Sequence, residues 1–268
     1  MISALESGDV IFFPDLRFET TPREQRVFSP SIVGSSKNVS FDPASRKIAC
    51  EAASEEDRGC LSEMLGRFNS QAAALVNSLL PAYRGRVTQG RASFRPVEIA
   101  GRKSSWRKDD TRLHVDAFPS NPVQGRRILR VFTNVNLEGR PRTWRVGERF
   151  AELAARFASS LRAPFPGITA ALRLFHLTKS RRSAYDAMML QLHDRMKSDD
   201  AYQSASPQTT VDFPAGATWM AFTDQVTHAA MAGQYQLEQT FLLPVAAMED
   251  EQKSPLRTLE RVKGRPLV

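Results

Sequence analysis

Three strand-like runs follow one another between residues 211 and 245, and they constrain the fold more than any other stretch of the chain. The runs are VDFPAGATWMAF (211–222), VTHAAMAG (226–233) and QYQLEQTFLLPV (234–245), separated by TDQ and by a glycine-containing turn. Short runs of apolar and β-branched residues between turn signals predict antiparallel strands. In the last run, alternate residues from Tyr235 to Phe241 share one face, as a half-buried strand requires.

Further strands and helices precede this block. The predicted strands lie at residues 9–18 (interrupted by Pro14), 86–99 and 128–135. The predicted helices lie at residues 55–80 (ended by Pro81), 147–161 and 183–197, the last with a core-facing stripe of Tyr185, Met188, Leu192 and Met196. Strands on both sides of a helical insert predict an α+β fold, an antiparallel sandwich or barrel with helices packed outside it.

The composition is that of a folded protein. Of the 268 residues, 41% are hydrophobic and 25% are charged, close to the globular average, which disfavours disorder and fibrous repeats. We expect one domain, with N-terminal support over 1–100, a core over 101–245 that contains a helical insert at 147–200, and a basic surface tail over 246–268.

The pattern of a signal peptide or membrane span is missing, which predicts a cytoplasmic protein. Cys50 and Cys60 lack the second pair of a zinc spacing, so we expect reduced, structural thiols.

The chain is basic, with a formal net charge of +8 at pH 7. Arginine carries most of the excess, in RKSSWRKDD, GRPRTWR and KSRRS, and its planar fork suits carboxylate and phosphate groups. A basic surface attracts nucleic acid, anionic lipid or a phosphorylated small molecule. Arginines and aromatic residues do not interleave in an RNA-binding motif, which disfavours nucleic acid.

A histidine and a carboxylate stand two residues apart at His114 and Asp116. On an extended segment these side chains point to the same side and can reach one metal ion, with His228 as the natural third ligand. Two histidines and one carboxylate are the ligands of non-haem Fe(II) oxygenases, although a zinc hydrolase can use the same residue types and the histidines could instead be structural. We interpret His176 as structural, and His193 as part of a solvent-facing polar pair.

An oxygenase that uses 2-oxoglutarate must also bind a dicarboxylate, one end of which needs a buried cation. Arg127 and Arg130 lie on or just before the apolar strand at 128–135, where a charge is costly without a partner. Strand alternation puts the two side chains on opposite faces, so we expect only one of them to bind the cosubstrate.

Three long segments resemble one known family. LHVDAFPSNPVQGRRILRVFTNVN (113–136), TKSRRSAYDAMMLQLHDRMKSDDAYQ (178–203) and FPAGATWMAFTDQVTHAAMAGQYQLEQTF (213–241) are similar to the Kdo hydroxylases, Fe(II)- and 2-oxoglutarate-dependent dioxygenases of Gram-negative bacteria. The resemblance covers nearly the whole chain. It implies a double-stranded β-helix (jelly-roll, cupin-like) core with flanking helices, and it implies that His114, Asp116 and His228 are the catalytic iron ligands.

The resemblance also implies a reaction. The family hydroxylates carbon 3 of the sugar Kdo in Kdo-lipid A or a precursor, consuming O2 and 2-oxoglutarate and yielding Ko, succinate and CO2. Such a substrate lies at the cytoplasmic face of the inner membrane, so we expect a peripheral encounter with that anionic surface. Lys179, Arg181 and Arg182 are candidates to contact the sugar carboxylate or lipid phosphates.

One departure from related oxygenases concerns the cosubstrate. Many 2-oxoglutarate enzymes carry a basic residue shortly after the distal histidine, where this chain has Glu238. The anchor must lie elsewhere, and we expect Arg127 rather than Arg130. Two further functions stay open: an oxygenase for another anionic substrate, and a non-catalytic protein that binds anionic lipid or nucleic acid.

Overall fold

The larger of two antiparallel sheets has seven strands. The computed structural model describes residues 1–165 and 173–268. The strands of this sheet are β1 (Ile11–Phe13), β2 (Val39–Asp42), β3 (Lys47–Ala49), β4 (Thr88–Arg95), β5 (Arg127–Asn134), β8 (Thr218–Phe222) and β10 (Gln236–Leu243). They are arranged in the order β1-β8-β5-β10-β4-β2-β3, so the N-terminal hundred residues supply four of the seven strands.

The smaller sheet is formed by β6 (Arg142–Val146), β7 (Thr209–Phe213) and β9 (His228–Ala232), in the order β7-β6-β9. An isolated antiparallel bridge between His114 and His228 attaches the segment around His114 to the free edge of β9. This bridge brings together two segments that are more than a hundred residues apart in sequence.

An aromatic cluster joins the two sheets. Phe132 of β5 and Trp219 of β8 pack against Trp144 of β6 and Phe213 of β7. The rings of Phe213 and Trp219 are stacked with centroids 4.1 Å apart, and Trp144 meets Trp219 edge-on at 5.7 Å. The sheets therefore pack face to face, and offset or edge-on aromatic pairs of this kind stabilise the contact beyond the area that they bury.

Helices pack around the sheets. They are α1 (Ile2–Glu6), α2 (Pro22–Gln25), α3 (Glu55–Leu79), α4 (Phe150–Phe157), α5 (Ala184–Ser198), α6 (Asp200–Ala205) and α7 (Pro255–Lys263). The hydroxyl of Ser54 caps α3 by accepting the N–H of Asp57, and the apolar face of the helix packs on β4 and β10. In the described part of the chain, no helix has both the length and the apolar character needed to cross a bilayer.

Most of the predicted elements are present with shifted bounds. The helices predicted at 55–80 and 183–197 are confirmed as α3 and α5, and the methionine stripe of α5 is buried in the core. The helix predicted at 147–161 is shorter, and the first strand ends at Phe13 before Pro14. The run at 211–222 contains two strands, β7 and β8, because a turn at Pro214–Ala217 passes the chain from one sheet to the other.

The structure corrects the prediction for the C-terminal residues. Instead of a basic tail on the surface, the chain forms α7, whose first turn is capped by Ser254. Leu256 and Leu259 of this helix are buried in the main core, and so is Leu267 beyond its end. Strands β2, β3 and β6 were also missed, and β6 matters for the site because it carries an inward-facing arginine.

Candidate metal centre

His114, Asp116 and His228 converge at one point of the fold. Each side chain offers one potential ligand atom, and the three atoms lie within 4.8 Å of one another. No other set of three histidine, cysteine or acidic residues meets this condition within residues 1–165 and 173–268. Both histidines are buried, and the Asp116 side chain is only 14% exposed, so an ion held here would be largely shielded from solvent.

The backbone orients both histidine rings. The N–H of each residue donates to the carbonyl of the other at 2.9 Å, which fixes the segments side by side. The Nδ1 atom of His114 lies 2.8 Å from the carbonyl oxygen of Arg112, and that of His228 lies 2.8 Å from the carbonyl oxygen of Val226. Because a carbonyl only accepts, Nδ1 carries the proton in each ring, which leaves the Nε2 lone pair for a metal.

The electrostatics of the three groups also suit a cation. Burial lowers the pKa of His114 and His228 below the ordinary value, so both rings stay neutral at physiological pH. Burial alone would raise the pKa of Asp116, but the positive charge of Arg130 holds it below its ordinary range. The buried Oδ2 of Asp116 has no hydrogen-bond donor among the described residues. Two neutral imidazoles and an ionised carboxylate fit a divalent ion.

The two candidate arginines of β5 lie on opposite faces, as strand alternation predicts. Arg130 faces the metal centre, with Nε 3.3 Å from Asp116 Oδ2 and Nη1 3.0 Å from Glu238 Oε1. Arg127 is fully buried on the other face, where its Nε donates to Asp224 Oδ2 at 2.8 Å and its guanidinium lies over the ring of Phe222. The preference for Arg127 over Arg130 as cosubstrate anchor therefore does not agree with the structure.

Two further arginines, which sequence reasoning missed, line the same pocket. A cavity of about 140 Å³ beside the three potential ligands is lined by Arg95, Arg130 and Arg142. Glu238 bridges two of these cations, since its carboxylate also accepts from Nε of Arg95 at 3.0 Å. Many related oxygenases carry a basic residue after the second histidine ligand, where this chain has Glu238. Glu238 instead positions two arginines, Arg95 of β4 and Arg130 of β5.

Arg142 has the least compensated charge of the three. It is buried, its Nη1 donates to the carbonyl of Gly233 at 2.6 Å, and its Nε has no partner in the described parts of the chain. Burial, together with the nearby charge of Arg95, lowers the pKa of Arg142 to about 9. Among the described residues no carboxylate forms a salt bridge with Arg142, although Asp110 and Glu238 line the same pocket. A buried guanidinium with a free donor is suited to bind an anion that enters the pocket.

A larger groove adjoins the pocket. It has a volume of about 540 Å³ and shares Arg95, Arg130 and Glu238 with the pocket wall. Arg91 and Lys179 add positive charge along this groove, and its remaining lining mixes polar and apolar residues. Of the three predicted substrate residues, only Lys179 lines it. Arg181 and Arg182 line a separate groove with Phe165 and Arg265.

His193 lies closer to the site than predicted. Its ring meets the His114 ring edge-on with centroids 5.4 Å apart, and its side chain is 18% exposed. The interpretation as a solvent-facing pair is therefore wrong, because helix α5 turns His193 towards the site while Asp194 remains more exposed. His176 is exposed and outside the pocket.

The three potential ligands and the cationic pocket match the mononuclear non-haem metal sites that oxygenases use. The family model for 3-deoxy-D-manno-oct-2-ulosonic acid (Kdo) hydroxylase matches residues 1–266. The chain therefore belongs to the Kdo hydroxylase family, which confirms the family predicted from the sequence.

Solved structures of the Kdo hydroxylase KdoO are similar along the full length. The KdoO structure with cobalt(II) superposes with a TM-score of 0.97 at 49% sequence identity, covering 100% of this chain and 90% of that chain. The KdoO structures with α-ketoglutarate and Fe(III) and with succinate and Fe(III) each give a TM-score of 0.96 at the same identity and coverage. KdoO is described as a non-haem Fe(II) α-ketoglutarate-dependent dioxygenase, the enzyme class predicted from the sequence. A search among curated proteins found no match.

Proposed function

We propose that this protein is an Fe(II)- and 2-oxoglutarate-dependent dioxygenase that hydroxylates carbon 3 of the Kdo sugar in Kdo-lipid A, giving Ko, succinate and CO2. The observation that carries the proposal is the convergence of His114, Asp116 and His228 in a pocket lined by three arginines. Membership of the Kdo hydroxylase family and the likeness to KdoO support the choice of metal, cosubstrate and sugar. We further propose that the two facing sheets form a double-stranded β-helix core.

His114, Asp116 and His228 are the proposed iron ligands. These three side chains would hold the metal from one side and leave the other side accessible to the keto acid and to oxygen. When bound, Fe(II) supplies the redox chemistry that couples decarboxylation of 2-oxoglutarate to hydroxylation of the sugar. The protein's part is to keep both imidazoles neutral, to hold Asp116 ionised beside Arg130, and to exclude bulk water from the pocket.

Arg142 is the proposed anchor for the distal carboxylate of 2-oxoglutarate. It combines burial, a free Nε donor and a position in the same cavity as the three ligands. Arg130 and Arg95 share Glu238, so they contribute positive potential with less free donor capacity than Arg142. A dicarboxylate bridging the metal and Arg142 would supply the counter-charge that this guanidinium lacks.

The groove is the proposed site for the sugar. Arg91 and Lys179 could bind the Kdo carboxylate. Arg95 and Arg130 line the part of the groove that adjoins the pocket of the potential metal ligands. The separate arginine groove with Arg181 and Arg182 suits a lipid phosphate instead. A lipid-linked substrate places the encounter at the cytoplasmic face of the inner membrane, where the net charge of +8 favours association with anionic lipids.

Anaerobic reconstitution followed by oxygen tests the proposal. The protein is loaded with Fe(II) and 2-oxoglutarate without oxygen, then mixed with Kdo-lipid A in detergent and exposed to O2. We expect mass spectrometry to show one added oxygen atom on the sugar, and no product from His114→Ala. Product without 2-oxoglutarate, or full activity in His114→Ala, would contradict the proposal. Succinate formation with a different anionic sugar but not with Kdo-lipid A would reassign the substrate.

A further inference from the structure

Four large apolar side chains between residues 165 and 177 are unusually exposed, and one of them, Phe165, lines the groove of Arg181 and Arg182. Phe165, Leu174, Phe175 and Leu177 are 78%, 74%, 71% and 61% exposed, and we refer to them as the apolar patch. Among the described residues, the other exposed large hydrophobics are scattered along the chain, and Leu137, for example, is only 51% exposed. Exposed apolar side chains gathered in one region mark an interaction surface, whereas single ones are ordinary.

The sequence around the patch carries charge of only one sign. Residues 161–183 contain Arg162, Arg173, Lys179, Arg181 and Arg182 and no aspartate or glutamate. Arg162, Arg173, Lys179 and Arg181 are exposed in the structure, and Arg182 is partly buried. Large apolar side chains beside a purely basic set are the pattern of segments that lie in the interface of an anionic bilayer.

The chain that follows the patch is attached to the rim of the substrate groove at two points. The backbone N–H of Lys179 donates to the carbonyl of Ser120 at 3.0 Å, and Nη2 of Arg182 donates to the carbonyl of Pro119 at 2.7 Å. Pro119, Ser120 and Lys179 all line the groove that leads to the metal centre. The segment that carries the patch therefore leads directly to the rim of the groove.

We infer that the apolar patch docks on an anionic lipid bilayer, with its apolar side chains in the interfacial layer and the neighbouring basic residues at the lipid phosphates. For the orientation of substrate, this inference rests on the proposed function: docking in this way would turn the groove entrance towards a lipid-linked sugar. A second copy of the chain is a poorer occupant, because a symmetric contact through this surface would bring two purely basic faces together.

Vesicle sedimentation tests the docking without relying on activity. The full-length protein is mixed with phosphatidylcholine vesicles that contain or lack phosphatidylglycerol. We expect binding only to the anionic vesicles, and the combined Leu174→Ser, Phe175→Ser and Leu177→Ser variant to bind roughly tenfold more weakly or worse. Leu137→Ser, an exposed leucine outside the patch, is the matched control and should bind as wild type does.

The charge contribution is tested separately. Arg162→Gln combined with Arg173→Gln should weaken vesicle binding and reduce its dependence on salt, whereas Arg86→Gln, an exposed arginine elsewhere, should not. Unchanged thermal unfolding would show that the variants fold. Failure of wild type to bind anionic vesicles, or wild-type binding by the triple serine variant, would overturn the inference.

The activity assay separates the inference from the proposed function. Patch variants should hydroxylate detergent-dispersed Kdo-lipid A at the wild-type rate and lose rate only when the substrate is embedded in vesicles. Loss of rate in both formats would overturn the docking role. Patch-dependent vesicle binding by a wild-type protein that forms no hydroxylated sugar would leave the docking intact and refute the proposed reaction.

Discussion

At the scale of single residues, Arg127 and Arg130 show how side-chain direction separates stability from function. They are three residues apart on β5, so strand alternation sends them to opposite faces. Arg127 meets Asp224 and Gln225 in the buried core, and Arg130 meets Asp116 and Glu238 beside the metal centre. The first arrangement stabilises the fold, and the second sets the charge of the site.

Arg127→Ala should therefore damage stability and leave cosubstrate binding unchanged. The substitution leaves the buried Asp224 unpaired, and burial already raises the pKa of this carboxyl. Breaking a buried ion pair costs about 3–5 kcal/mol in the free energy of unfolding. Urea unfolding measures the loss, with Arg126→Ala as the neighbouring control, and succinate formation gives the KM for 2-oxoglutarate. A raised KM at unchanged stability would show instead that Arg127 binds the cosubstrate.

Arg142→Gln, in contrast, should weaken the binding of 2-oxoglutarate. Losing a charge-assisted contact to a carboxylate costs about 1.5–3 kcal/mol, so we expect the KM for 2-oxoglutarate to rise roughly 10- to 100-fold. Arg145→Gln, on the same strand with the opposite side-chain direction, is the matched control and should change the KM little. Equal effects of the two substitutions would argue against Arg142 as the anchor.

At the scale of elements, the metal centre depends on how the segment at His114 and the start of β9 pack. Gly147 lies just after β6, and its N–H donates to the carbonyl of Thr227 at 2.8 Å. A Cβ atom built on Gly147 would come within 2.8 Å of Thr227 Cγ2, closer than carbon atoms approach. Since Thr227 precedes His228, the absence of a side chain at Gly147 lets a ligand-bearing strand approach β6.

Gly147→Ala should accordingly weaken metal binding. Inserting a methyl group into a packed site costs about 1–3 kcal/mol, part of which would appear as displacement of His228. We expect roughly tenfold weaker Co(II) binding, measured by titration. Gly59→Ala in α3, where a new Cβ would touch nothing within 4 Å, should bind Co(II) normally and slightly stabilise the protein. Wild-type affinity in Gly147→Ala would contradict the proposed role of this close approach.

The sequence predicted those elements in which the apolar residues occupy the buried positions. The strands at the end of the chain, α3 and α5 all have apolar faces that point to a core, and they are present. Strand β6 was missed because Arg142 occupies an inward position where the pattern calls for an apolar side chain. Arg142, which made β6 unrecognisable from the sequence, is also the residue that we propose to bind the cosubstrate. A charged residue at a position where the pattern predicts an apolar one is expected at functional sites.

At the scale of the whole molecule, the convergence of the three potential metal ligands could be anticipated from the sequence, whereas the residues around them could not. His114 and Asp116 share a side of one short segment, but contact with His228 depends on a bridge between distant segments. The positions of Arg95, Glu238 and Arg142 follow from the order of β4, β5 and β10 in one sheet and β6 in the facing sheet. Local spacing contains no information on that order, so the sequence favoured Arg127, whose side chain lies on the face of β5 that points away from the potential metal ligands.

Ligand binding should stabilise the whole fold in two steps. A ligand at a hundred times its Kd adds about 2.7 kcal/mol to the free energy of unfolding. We expect Co(II) to raise the Tm and 2-oxoglutarate to raise it further only when the metal is present, as thermal unfolding can measure. His114→Ala should abolish both steps, while Arg142→Gln should retain the first and lose most of the second. Equal stabilisation of Arg142→Gln and wild type by 2-oxoglutarate would remove the basis for the assigned anchor.

In the proposed reaction, oxygen gas supplies the new hydroxyl group while 2-oxoglutarate is split to succinate and CO2. Turnover of Kdo-lipid A under isotopically labelled O2 tests it most directly, because one oxygen atom should enter the sugar and the other should enter succinate. We predict equal amounts of label in the sugar and in succinate. When the water is labelled instead of the O2, the hydroxylated sugar should carry no label. Label derived from water in the sugar, or hydroxylated sugar formed without labelled succinate, would contradict the account.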